Sequence, residues 1–303
     1  MATTPKRPLF DRNSQYGWYD YGNFEKHPGN IWFVGSCITG CADAFGWGMN
    51  PDSPFATLDY AVGQCVNSQG DVIYCLPGHV ETVAAAAGLT LDVIGITIIG
   101  VGQGVYQPTV ALTAALSDVL VNAASITVEG IHFMAGIADV VAAIDVDATD
   151  FTLRNCRFTG DGTFNAIIWI QDGAAATSDR ITVEDCVFAD NAANNTHAIN
   201  FAGTGTQHIV RRNQFIGHWS TGAIFGAGAI IAANISDNYI YQIHASVDSG
   251  INLAAATTGV CMNNRVNTGN ASANQITAIG LGKCQNYGGI IGDSNGLLEP
   301  IAT

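Results

Sequence analysis

Six segments decide the fold: SITVEGIHFM (125–134), DFTLRNCRFT (150–159), RITVEDCVFA (180–189), QHIVRRNQFI (207–216), AANISDNYIY (232–241) and TGVCMNNRVN (258–267). Their starts lie 25, 30, 27, 25 and 26 residues apart, and GITIIGVGQG (95–104) fits more loosely ahead of them. Apolar residues alternate with outward ones at the period of two that strands impose. One inward column reads Ile126, Phe151, Ile181, and the next reads Val128, Leu153, Val183, Val210, Ile235, Cys261. After a turn column of Gly130, Asn155, Asp185, Arg212, Asp237 and Asn263 comes a third, Phe133, Phe158, Phe188, Phe215, Ile240, Val266. Most of the turn types tolerate tight backbone conformations.

Working outward, a second strand family repeats as AIDV at Ala143, AIIW at Ala166, AINF at Ala198, AIFG at Ala223 and GINL at Gly250. Two strand families per coil of ~26 residues, with a third expected, describe stacked solenoid rungs. In such a stack each residue meets its counterpart about 4.8 Å away, so buried polar groups persist only as ladders. The position after the turn reads Ile131, Cys156, Cys186, Asn213, Asn238, Asn264, a thiol stack passing into an amide ladder. Cys156 and Cys186 are then buried thiols, and Cys261 and Cys284 are expected to stack similarly. Outside, Glu129, Arg154, Glu184 and Arg211 alternate in sign, the pattern of an ion-pair ladder between neighbouring strands.

Composition agrees. The 303 residues include 35 Gly, only 12% charged side chains and 48% hydrophobic ones, with a net charge of −14. So few charges exclude helical bundles, coiled coils and disorder, and the acidity excludes nucleic-acid binding. The start MATTPKRPLFDRN has no apolar core for export, and Val83–Val101 is broken by Asp92 and three glycines. Neither an export signal nor a membrane partner is expected. Cys37 with Cys41, and Cys65 with Cys75, can pair, but no Cys–His spacing suits a metal, so no metal or cofactor is expected.

The chain divides by composition. Residues 1–30 form a basic, aromatic arm of net charge +1, carrying Lys6, Arg7, Arg12, Tyr16, Trp18, Tyr19 and Tyr21, on a body of −15. It reads as a docking segment or as a strap along its own body. Residues 31–92 read as a strand–loop–helix–strand cap, with Ser53 as N-cap, Pro54 at the first helical position and Phe55, Leu58, Ala61, Val62 and Cys65 as the apolar face. This amphipathic helix suits an open solenoid end. Residues 93–281 form the solenoid of about seven to eight rungs, and 282–303 a C-terminal cap.

The succession NIWFVGS, a Gly-rich loop, NPDSPFATLDYAV, GDVIYCLPGHVETV and then LDVIGITIIGVGQG resembles right-handed parallel β-helix proteins of tailed bacteriophages over roughly residues 30–281. The resemblance implies an all-β, single-stranded, pectate-lyase-like right-handed parallel β-helix. It further implies a virion structural protein, a decoration, fibre or spike subunit on capsid or tail, assembled in the host cytoplasm. Its partners would be other virion proteins and copies of itself, most simply as a homotrimer. The alternative it implies is a tailspike-type receptor-binding protein that binds host surface polysaccharide, or cleaves it as a hydrolase or lyase.

Enzymes of this shape use outward carboxylate clusters, and the best here is Asp139, Asp145, Asp147 and Asp150. Asp145 and Asp147 face out on one strand, about 6.5–7 Å apart, a spacing open to an inverting pair or a hard cation. The expected counterparts on the next rung, Ile168 and Ile170, add no ligand. His218 and Trp219, with Tyr239, Tyr241 and His244 one rung on, form an aromatic and imidazole patch suited to a sugar ring or to a neighbouring subunit.

Overall fold

The computed structural model describes residues 11–13, 18–20, 29–36, 38–173, 178–242, 249–268, 275–289 and 297–298. Three parallel sheets make the body, and successive strands visit them in turn, forming a right-handed parallel β-helix of about eight turns. The first sheet holds ten strands, from Ile31–Val34 and Val72–Cys75 through Thr127–Glu129 and Thr152–Arg154 to Leu281–Cys284. The second runs from Val80–Val83 through His132–Ala135 to Asn286–Gly289, with Leu297–Leu298 added antiparallel at its end. The third holds eight strands, from Leu89–Leu91 through Val140–Val146, Ala166–Asp172 and His197–Phe201 to Ile276–Thr277. The third strand per coil is therefore present, and all three sheets begin within residues 31–92, at Ile31, Val80 and Leu89.

The link between first and second sheets repeats rung after rung because its backbone does. From Thr127–Glu129 onward, one residue past each first-sheet strand the chain enters the left-handed region, with φ of 73° at Gly130, 53°, 55°, 54°, 58° and 55° at Asn155, Asp185, Arg212, Asp237 and Asn263, and 51° at Gln285. A second left-handed column precedes the first sheet, at Ser125, Asp150, Arg180, Gln207 and Ala232. Nothing in those residue types announces it. Asp150 and Arg180 in that column are joined across one rung, and Asp185 and Arg212 in the other, each by two hydrogen bonds. The cross-rung pairs hold polar residues in a conformation that glycine otherwise favours.

Inside, the three apolar columns are buried as their periodicity requires. Phe133, Phe158, Phe188 and Phe215 stack with ring centroids 4.9, 4.4 and 4.8 Å apart, the sheet spacing itself. The amide ladder is continuous and one member longer than the repeats suggest. Asn213 Oδ1 accepts from the Cys186 N–H, Asn238 Oδ1 from Asn213, Asn264 Oδ1 from Asn238, and Asn286 Oδ1 from Asn264. Each Nδ2 also donates to a backbone carbonyl: Val183, Val210, Ile235 and Cys261. Four buried amides thus leave few polar atoms unsatisfied in a core where each orphan costs about 1–3 kcal/mol.

Cys156 and Cys186 are buried free thiols, and burial raises the Cys186 thiol well above its ordinary range. One open cysteine alternative is decided, and one expectation is corrected. Cys65 and Cys75 are free rather than paired, and Cys41 is free as well, while Cys37 lies outside the described residues. Cys261 stands opposite Lys283, not Cys284, which is exposed on the outer face.

The helix is shorter and later than its sequence suggested, spanning Leu58–Val62. Thr57, not Ser53, caps it, because Asp43 fixes Thr57 by accepting from its N–H at 3.1 Å and its hydroxyl at 2.9 Å. Buried Glu81 accepts from the Leu58 N–H at 2.7 Å and lies 3.2 Å from His79 Nε2. Leu58, Ala61 and Val62 face inward, and Leu58 shares an apolar space with Leu89, Leu91, Ile98 and Val119 of the first coils.

Of the arm, Asp11–Asn13 and Trp18–Asp20 form an antiparallel pair that sets Arg12 opposite Tyr19. Lys6, Arg7, Tyr16 and Tyr21 lie outside the described residues. Among the described residues no helix is long and apolar enough to cross a membrane.

Candidate functional sites on the outer faces

The third-sheet register changes the picture of the carboxylates. Ile144 pairs with Ile170, so Asp145 stands opposite Gln171, and Ile168 stands opposite Ala142. The tetrad aligned with AIDV is WIQD, Trp169–Asp172, with Trp169 in the position that alanine fills in neighbouring rungs. Trp169 is buried and meets Phe158 edge-on at 5.6 Å. The outward column therefore reads Leu120, Asp145, Gln171, Asn200, Phe225, Asn252.

Asp145 is half-buried and Asp147 exposed. Burial first, then the like charges of Asp147 and Asp118, push the Asp145 carboxyl up to about 6. On the next rung Asp172, opposite Val146, faces inward, where burial raises it to about 6 while the Ala202 and Gly203 N–H groups donate to it. The remaining acids of the cluster are engaged elsewhere. Asp150 is bound by Arg180, which holds its carboxyl below the usual range, and Asp139 accepts from Asn165 and Asn194. Among the described residues, no group of three or more His, Cys, Asp or Glu is arranged to hold a metal ion. What remains chemically is one carboxyl able to carry a proton near pH 6, Asp145, with the exposed Asp147 close by.

The aromatic patch is partly dismantled. Trp219 is fully buried and His218 nearly so, since the chain turns inward at Gly217. A Cβ at Gly217 would lie 3.1 Å from the Trp219 ring and 1.9 Å from the Asp190 carbonyl oxygen, so glycine permits that close approach. His244 lies outside the described residues. Tyr239 and Tyr241 do face out, 43% and 40% exposed. Register adds partners that the sequence reading missed: Arg265 opposite Tyr239, Asn267 opposite Tyr241, and Tyr287 opposite Arg265 on the following rung. Alternation along Arg265–Asn267 and the YGG of 287–289 carried this signal, but the last strand falls beyond the recognised repeats.

The outward first-sheet charges pair across adjacent rungs, in two separate groups rather than as one continuous ladder. Arg154 bonds Glu129 at 2.8 Å, and Glu184 takes both Arg211 at 2.6 Å and Arg212 at 2.9 Å. Their arginines are 40–45% exposed, so each pair is worth under about 1 kcal/mol.

The sheets, their register and the interior ladders define the class of protein: a single-stranded parallel β-helix. No protein-family model matches the chain, and no curated protein matches it. Among solved structures it is similar to a rhamnogalacturonan lyase, at 13% identity and a TM-score of 0.39, over 88% of this chain and 89% of that one. At that distance the likeness says nothing of chemistry.

Proposed function

We propose that this chain is a structural component of a tailed-bacteriophage particle, a β-helical decoration, fibre or spike subunit. The observation that carries this reading is the unbroken interior column from Cys186 to Asn286, in which each rung hydrogen-bonds the next through side chains as well as backbone. Such a body resists bending and local opening, which suits a rigid particle component. The sequence resemblance supplies the phage context. The +1 arm on a −15 body suits docking to other particle proteins.

The test is made on purified particles. The chain is expected there at a fixed copy number, and removal of residues 1–30 is expected to abolish incorporation while the body's circular dichroism is unchanged. Normal incorporation of the truncated chain overturns docking through the arm, and absence of the chain from particles overturns the reading itself.

A second reading, polysaccharide cleavage, is favoured by one observation only, the Asp145 carboxyl raised toward pH 6 beside Asp147. If it holds, new reducing ends or unsaturated ends accumulate from an acidic polysaccharide, and Asp145→Asn or Asp147→Asn abolishes them. Activity that survives both substitutions rules out this pair.

A further inference from the structure

The outer face of the second sheet differs in kind from the other two. Its two outward columns read Val80, Thr109, His132, Arg157, Val187, Gln214, Tyr239, Arg265, Tyr287 and Thr82, Ala111, Met134, Thr159, Ala189, Ile216, Tyr241, Asn267. Among these described positions there is no carboxylate, in a chain with 25 of them against 11 basic residues. Of the arginines in the described residues, four make ion pairs with Asp or Glu. Arg157 and Arg265 are in none of those pairs, and both stand on this face.

Arg265 has the more specific setting. Tyr239 precedes it and Tyr287 follows it in the same outward column, one strand spacing of about 4.8 Å on either side. Tyr241 and Asn267 stand beside them in the second column, about 7 Å along the strands. Three aromatic side chains, 40–49% exposed, thus surround a guanidinium and an amide on a flat, rigid support. Aromatic faces pack against the C–H faces of sugar rings, while a guanidinium binds a carboxylate through two parallel hydrogen bonds.

We infer that the Tyr239–Tyr241–Arg265–Asn267–Tyr287 face binds a carboxylate-bearing oligosaccharide, with Arg265 on the carboxylate and the tyrosines on the sugar rings. The small footprint favours a glycan over a protein partner. Two columns across three rungs cover on the order of 150 Å², far below the ~800 Å² per partner of a stable protein interface. The inference stands apart from the virion reading, which particle incorporation tests, and from cleavage, which product formation tests.

The experiment titrates the full chain with a tetrameric uronate oligosaccharide and with its carboxyl-reduced, neutral counterpart, read by calorimetry or ligand-observed NMR. Wild type is expected to prefer the uronate, and Arg265→Gln to weaken that binding by about tenfold, the scale of lost charge-assisted hydrogen bonds. Tyr239→Ala is expected to weaken both ligands, whereas Arg154→Gln leaves both unchanged. All three positions face outward, so a melting temperature within about 4 °C of wild type certifies the fold of each variant. Equal affinity for the neutral probe, no binding of either probe, or uronate binding indifferent to Arg265→Gln overturns the inference. So does a change in sedimentation with Arg265→Gln and no change in glycan binding, which makes the face a contact between copies of the chain.

Discussion

The first-sheet and second-sheet strands of each rung are joined by one short, repeating turn and stack in the same parallel register, yet their outer faces are unlike. On the first, Glu129, Arg154, Glu184 and Arg211 neutralise one another. On the second, Arg157 and Arg265 have no carboxylate among their outward neighbours, and tyrosines gather at one end. The backbone cannot be the cause, since it is the same for both. Interior columns must match from rung to rung because each buried group needs its counterpart. Outer columns meet water, which satisfies what the neighbours do not, so the faces are free to diverge and the divergence marks where recognition can lie.

The largest way to break the comparison is to remove the packing that both faces rest on. Trp169→Ala, which empties a fully buried site against Phe158, is expected to cost about 3–5 kcal/mol and to lower the melting temperature by roughly 10 °C. Asn238→Ala comes next. It sits at the junction of the two sheets, and its loss strands the Asn213 N–H and takes one donor each from the Val210 carbonyl and from Asn264 Oδ1, which keeps the Asn238 N–H. Roughly 2–4 kcal/mol is expected from equilibrium denaturation, with Asn238→Asp no rescue because a carboxylate cannot donate to Val210.

A smaller effect is expected from pH. Burial lowers His197 and His208 to about 4, so the unfolded chain takes up their protons first, and stability falls as pH drops from about 6.5 toward 4. Asp172, raised to about 6, acts oppositely: its folded form takes up a proton before the unfolded chain does, and stability rises as pH drops from about 6 toward 3.8. Asp172→Asn removes that compensation, and melting temperature should then fall more steeply between pH 6 and 4 than in wild type. An unchanged slope contradicts the buried, raised carboxyl.

The smallest stability effects lie on the faces themselves. Arg154→Gln is expected to cost under about 1 kcal/mol, and less at high salt, because Glu129 stays partly hydrated. Arg265→Gln is expected to cost nothing measurable, having no carboxylate to lose. A loss at Arg265 equal to that at Arg154 would erase the distinction between the two faces.

Much of this was legible in the chain and some was not, and the line between them follows connection length. First-sheet and second-sheet columns keep a constant offset in the sequence, because in rung after rung only two residues separate strands such as Thr127–Glu129 and His132–Ala135. The amide ladder and the phenylalanine stack came with that alignment. Links into the third sheet vary, from four residues between Ala135 and Val140 through six between Thr159 and Ala166 to eight between Gln242 and Ile251. Similar tetrads therefore misled: AIIW at Ala166 looks like AIDV, but the chain has advanced three residues further. That shift hid Gln171 beside Asp145 and turned Asp172 inward. Trp219 was misplaced for a related reason, as a tryptophan after a strand reads as surface until Gly217 is seen to open the interior.

The sequence by itself determined the solenoid, its rung length, the parity of its strands and the interior ladders, because period and self-similarity are local properties that stacking must respect. Only the tertiary structure decided which outward residues are neighbours. Those contacts join residues some 22 to 30 positions apart, and they depend on register accumulated through connections whose length varies. Asp145 with Gln171 is one such decision, and Arg265 between Tyr239 and Tyr287 is the other.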